Sequence, residues 1–209
     1  MAAEHIVTGG TLPDGQQILV VVETASAGVS VQSPAKLLAL NASKTGAVIL
    51  QDVFVPRENI VAGPIDAVMK SRAGGGGAGG LTTSSLALGV AQNAIEAIKN
   101  EAESRTELQK IAQSLQCEAD EVVNDLRRAV RSDGLECGPG QTAEAIRQRA
   151  NSLVLRATQA QMAVSKGAGF AAGHPAERAV REAMFFLVWS CPQPVVNGNL
   201  KELAQMPSA

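Results

Sequence analysis

The chain has two histidines and three cysteines, and their spacing narrows what chemistry is open to them. His174 and Cys191 could form a nucleophilic dyad, but they flank a stretch that reads as one helix, and a rise of about 1.5 Å per residue holds them roughly 25 Å apart. Ser190 has neither a histidine in sequence reach nor a G-x-S-x-G elbow, so an activated serine is not supported. Cys117, Cys137 and Cys191 show no C-x-x-C and no Cys/His ligand spacing. That argues against a zinc site and for reduced thiols. The run SRAGGGGAGG at 71–80 lacks the Lys-Ser/Thr pair and the preceding strand of a phosphate-cradling loop, and it reads as a flexible linker. What remains is a set of binding groups. Arg105 offers a planar fork suited to a pyrophosphate, or is a solvated arginine at a helix end. Thr8 is a hydroxyl on a strand, where threonine is also simply a good β-former. Gly167 and Gly169 would let backbone approach a ligand closely, or would cap a helix.

Composition bounds the rest. The chain has 209 residues, 45% of them hydrophobic, which suffices for a buried core, and a net charge of -2, which gives no electrostatic footprint for nucleic acid or an anionic membrane. Four Phe, one Trp and no Tyr leave little for base stacking. No apolar run approaches the length of a bilayer span, and the first ten residues have neither a basic start nor an apolar stretch. The expected location is the cytoplasm.

The elements that must position these groups fall into two kinds. Residues 5 to 63 read as β structure, with short Val/Ile-rich runs at His5 to Thr8, Ile18 to Glu23, Val29 to Gln32 and Ala47 to Val55. Turn signals separate them at Leu12 to Gly15, Ser26 to Gly28 and Lys44 to Gly46. Beyond the glycine run the periodicity becomes helical. Leu88, Ala91, Ala94, Ile95 and Ile98 stripe a first helix over Leu81 to Glu103. Leu108, Ile111, Ala112, Leu115, Ala119, Val122, Val123, Leu126 and Val130 stripe a second. Thr142 can N-cap a third, whose Ile146, Ala150, Leu153, Ala157, Ala160 and Val164 face a core. Pro175 suits the first position of a fourth, predicted to run to Trp189. The expected fold class is α+β: a small antiparallel β segment over 1–65, a Gly-rich linker over 66–80, and an antiparallel four-helix bundle over 81–209.

The closing stretch carries a resemblance. G-x-G-F at 167–170, P-x-E-R-x-x-R-E-A at 175–183 and an aromatic at Trp189 resemble the C-terminal signature of acyl-CoA dehydrogenases, flavoenzymes that desaturate acyl thioesters. VTGGT at 7–11, ILVVV at 18–22 and DVFVPRENI at 52–60 resemble the middle β-domain of the same family, and LGVAQ at 88–92 resembles a segment of its first bundle helix. The resemblance implies FAD as cofactor, with Thr8 at the flavin ring, Arg105 at the pyrophosphate, Gln116 at a recurring glutamine position and Gly167 in close backbone approach.

The departures matter as much. Leu108 and Gln109 replace a Phe-Gly pair that shapes the dinucleotide site in the family. Ser190 stands where many members have the glutamate that removes the substrate α-proton, and a serine hydroxyl cannot act as a carboxylate base near neutral pH. The other base position, near Gly79, has no glutamate either. Members of the family also carry an N-terminal helical domain and further β-domain that are missing here. The expectation is therefore a truncated acyl-CoA dehydrogenase-like flavoprotein, inactive alone, assembling as a homo-oligomer or with a partner that supplies the missing domain. The alternative is a structural or interaction protein that kept the bundle without flavin. No metal site is expected.

Overall fold

The computed structural model describes residues 3–70, 81–131, 138, 140–189 and 191–206. The chain divides into two compact units, Met1–Gly77 and Ala78–Ala209. The glycine run at 71–80, read above as a linker, lies outside the described residues.

In the first unit, β1 (His5–Thr11) pairs antiparallel with β2 (Gln17–Glu23), from His5 opposite Glu23 to Thr11 opposite Gln17. The turn foreseen at Leu12 to Gly15 closes this hairpin, with Gly15 at φ 88° and its N–H donating to Leu12 O at 2.9 Å. β3 (Val29–Val31) and β4 (Val48–Leu50) form a separate antiparallel pair, so only the first part of the strand expected over Ala47 to Val55 forms. β5 (Ile60–Ile65), which the strand reading did not single out, flanks β2 on the side away from β1, giving the order β1-β2-β5. Its Gly63-Pro64 reads as a breaker in sequence, yet proline is tolerated on an edge strand. The interior of this unit is thin: among the described residues, Leu19, Val22 and Val68 are its buried hydrophobics.

The second unit is helical. α1 (Leu81–Ala102), α2 (Gln109–Arg131) and α3 (Ala143–Val164) match the three long periodic stretches. All five stripe residues of α1 are buried, and α1 packs chiefly on α3 and α2. The core that α1 and α3 share includes many small side chains, Ala87, Ala91, Ala94, Ala150 and Ala157, all fully buried, beside the larger Ile95, Leu153 and Val154. On α2 the stripe is narrower than the periodicity suggested, since Ile111 and Val130 face outward.

Thr142 caps α3 as expected, its Oγ1 accepting from Ala145 N at 3.2 Å. A single turn, α4 (Lys166–Gly169), leads to α5 (Pro175–Ala183), where Pro175 takes the first turn and His174 Nδ1 caps Ala176 N at 3.1 Å. The fourth helix does not run unbroken to Trp189. It stops at Met184 and resumes as α6 (Phe185–Val188), with Trp189 extended; no proline or glycine marks that break. α1, α2, α3 and α5 make the antiparallel four-helix bundle, so the α+β reading holds. An additional helix, α7 (Gln193–Leu203), starts after Pro192 and packs on α3 and α6.

Candidate functional site

Thr8 sits mid-way along β1, an edge strand, opposite Val20. Its side chain is half-buried, and its hydroxyl has no hydrogen-bond partner among the described residues. Gly9 and Gly10 follow. A Cβ on Gly9 would meet Ile18 O and Leu19 Cδ2 at 3.5 Å, ordinary contact, so packing within the sheet does not require glycine there. The pair leaves bare backbone beside an open hydroxyl, an arrangement suited to a flat ligand.

The other three candidates belong to the helical unit. Arg105 follows α1, and its Nη1 donates to Val164 O, near the C-terminus of α3, at 2.9 Å. Two carboxylates flank the guanidinium, Glu107 at 3.4 Å and Glu101 at 3.9 Å. A cation among late helix carbonyls is favourable in itself. Gly167, in α4 just beyond Val164, therefore lies at the same end of the bundle as Arg105. A Cβ on Gly167 would meet nothing within 4 Å, whereas one on Gly169 would reach Ser165 Cβ at 2.7 Å and Met162 O at 3.1 Å. Gly169 is thus a packing glycine, and Gly167 has no steric reason to be one.

Gln116 exchanges amide bonds with Gln92 at 2.9 and 3.3 Å and donates to Asp120 at 2.8 Å. It also lines an open groove of about 360 Å³ with Lys99, Glu103, Gln109, Gln113 and Cys117. Leu108, one of the two departures from the family pattern, is buried beneath the start of α2.

Ser190, at the expected base position, lies outside the described residues. Next to it, Trp189 stacks on Phe185 with centroids 5.2 Å apart, and Phe185 meets Phe186 edge-on at 5.6 Å. Phe186 is core, whereas Trp189 is half-exposed. The His174/Cys191 dyad does not form. The His174 ring caps α5, and Cys191 Sγ meets Asn199 Nδ2 at 4.0 Å. Among the described residues no group of His, Cys, Asp and Glu could hold a metal, and no helix is long and apolar enough to cross a membrane.

Sequence reasoning missed a buried polar stripe on α3. Arg147, Asn151, Thr158 and Gln161 are buried beside Val154. The spacing 147, 151, 154, 158, 161 is helical and was available as a signal, but polar residues read as an outward face. It also missed Asp125, which takes Arg128 at 2.7 Å, Gln141 at 3.3 Å and the Arg149 guanidinium. The bond from Arg149, more than the burial that opposes it, holds the Asp125 carboxyl below the usual range.

A scan against family models finds no match, and a search of curated proteins finds none. Solved structures do match. A glutaryl-CoA dehydrogenase from Mycobacterium smegmatis aligns at TM-score 0.78 with 16% identity over 99% of this chain and 55% of its own. Butyryl-CoA dehydrogenase from Megasphaera elsdenii aligns at 0.74 with 15% identity, over 97% and 56%. An acyl-CoA dehydrogenase from Geobacillus kaustophilus aligns at 0.75 with 14% identity, over 96% and 57%. The fold is that of the C-terminal part of acyl-CoA dehydrogenases. At these identities the likeness concerns the fold, and the chain spans little more than half the length of the dehydrogenases it matches.

Against this fold the donor set fits a flavin unevenly. The open hydroxyl of Thr8 and the bare Gly9-Gly10 backbone fit a flavin ring. Arg105 fits a pyrophosphate poorly, because its fork already holds a carbonyl and two flanking glutamates would repel an anion.

Proposed function

We propose that this chain is the flavin-holding part of an acyl-CoA dehydrogenase-like oxidoreductase, with FAD as cofactor and the CH–CH bond of an acyl thioester as the substrate class. The observation that carries the reading is Thr8, a half-buried hydroxyl without a hydrogen-bond partner among the described residues, beside two glycines the sheet does not need. A related fold, the glutaryl-CoA dehydrogenase of Mycobacterium smegmatis, has been solved with FADH2. In this reading Thr8 bonds the flavin ring, and Arg105, Gln116 and Gly167 are the helical unit's own candidates for contact with a dinucleotide. Bound there, FAD would supply two-electron redox chemistry.

Ser190 supplies no carboxylate, so α-proton removal needs a base from elsewhere. A dehydrogenase also needs the remaining part of the fold, whichever polypeptide carries it. The first unit exposes Val7, Leu38 and Phe54, and Phe54 is 85% exposed, which supports a homo-oligomer or a partner covering that surface. Cys117 and Cys191 are free thiols, in keeping with a cytoplasmic setting.

A second reading, a structural or interaction protein that retains the bundle without flavin, is favoured by Arg105 and its two glutamates. Titrating the colourless protein with FAD, following flavin fluorescence, separates the two. Saturable binding weakened about threefold to tenfold by Thr8→Val supports the flavoprotein, since one lost hydrogen bond is worth about 0.5–1.5 kcal/mol. Absence of binding at high micromolar FAD leaves the structural reading. Arg105→Ala is a poorer probe, because it also removes a bond that α3 uses.

A further inference from the structure

β1 is an edge strand, and its backbone divides by parity. Thr24 N donates to Glu4 O at 2.9 Å and Leu12 N to Gln16 O at 2.8 Å, so the bonds between β1 and β2 fall on even-numbered residues. Antiparallel bonds recur at every second residue. Ile6, Thr8 and Gly10 therefore turn their N–H and C=O groups to β2, while those of His5, Val7, Gly9 and Thr11 point away from the sheet. These four residues are exposed, Val7 at 68%, and among the described residues no strand pairs with them.

Such an edge is usually blunted by proline, lysine or a bulge. β1 has none of these: neither Pro nor Lys stands between His5 and Thr11, and the register on β2 is unbroken. The opposite edge differs. β5 contains Pro64, which has no N–H to offer, and its register on β2 shifts twice. β1 is thus the edge ready to take a further strand.

The strand is also complementary to itself. Set antiparallel across a two-fold axis at Val7, the outward groups of His5, Val7 and Gly9 meet those of Gly9, Val7 and His5 in a second copy, about six bonds in all. His5, the one ionisable residue of β1, then faces glycine, so no like charges oppose each other and the ring has room. Val7 meets Val7, which covers two exposed apolar side chains. Thr8 stands on the other face, so the pairing does not use its hydroxyl.

We propose that β1 is a dimerisation edge, where two copies of this chain form an antiparallel β1–β1 pair centred on Val7 and join their three-stranded sheets into one. The inference rests on the homo-oligomer reading and not on flavin, so the FAD titration and this pairing succeed or fail separately.

Sedimentation equilibrium of the full chain gives the number of subunits, and residue-resolved amide exchange by NMR reads the strand. The expected result is a dimer in which the Val7 and Gly9 amides are protected at high concentration and exchange at least about tenfold faster on dilution, while the Ile6 and Thr8 amides stay protected. Val7→Pro removes both bonds of the central pair and leaves those to β2 in place. It should weaken the dimer at least about tenfold with the circular dichroism unchanged. Val7→Lys sets two ammonium groups face to face and should do the same. A monomer at every concentration overturns the proposal, as does an undiminished dimer in folded Val7→Pro. A dimer whose Val7 and Gly9 amides exchange freely also overturns it, keeping the homo-oligomer but moving its interface elsewhere. Should Val7→Pro not fold, the amide pattern of the unmodified sequence decides alone.

Discussion

Single residues in the bundle separate two kinds of polar group, those that bear structure and those left open. Asp125 bears structure. Its carboxyl lies below the usual range chiefly through the bond from Arg149, with Arg149 and Arg128 charges adding to it. A depressed pKa means that the unfolded chain takes up the proton first as pH falls. The stabilisation is thus fully present above the unfolded value of about 3.9 and is lost as pH falls through the lower folded value. Asp125→Asn should cost about 2 kcal/mol at pH 7 in urea denaturation and leave a shallower loss of stability below about pH 4. An unchanged acid limb would remove Asp125 from this role. At the same scale, the helix starts were legible. Thr142 and Pro175 have side chains whose function at a helix terminus depends on local backbone alone. Arg147 and Asp125 were not, because their partners include groups distant in sequence, Phe186 and Trp189 for Arg147 and Arg149 for Asp125.

Among the elements, the three long helices could be read directly because each carries an apolar stripe that local periodicity reveals. α7 and β5 could not. α7 opens on Pro192 and Pro194 and contains Gly198, all breaker signals. It packs on α3, where a Cβ on that glycine would come within 2.4 Å of the flexible end of the Gln148 side chain. β5 is interrupted by Gly63-Pro64, and only its pairing with β2 defines it as a strand. The two glycines of the bundle-end signature give a test at this scale. Gly169→Ala should destabilise the protein by about 1–3 kcal/mol, since its Cβ collides with Ser165 and Met162. Gly167→Ala should be neutral or stabilise by up to about 1 kcal/mol. If Gly167 borders a dinucleotide, that same substitution weakens FAD binding while the thermal midpoint holds. Loss of stability in both variants would contradict the distinction between them.

For the whole molecule, the two units differ in how much they bury. Beyond Leu19, Val22 and Val68, the buried hydrophobics of the described residues belong to the second unit. Local stability should follow. In hydrogen exchange read by mass spectrometry, amides of β1, β2 and β5 should be protected by at least about 2 kcal/mol less than those of α1 and α3. Equal protection would mean that the sheet draws stability from contacts outside its own interior. The alanines in the core that α1 and α3 share have their own consequence. Alanine gives up no rotamer freedom on burial, so these positions pack without the side-chain entropy loss that leucines there would incur. They are also one-way positions for mutation. From Ala91 or Ala157, every substitution but glycine adds volume between two helices already in contact, so sequence drift at these positions is confined to the smallest side chains.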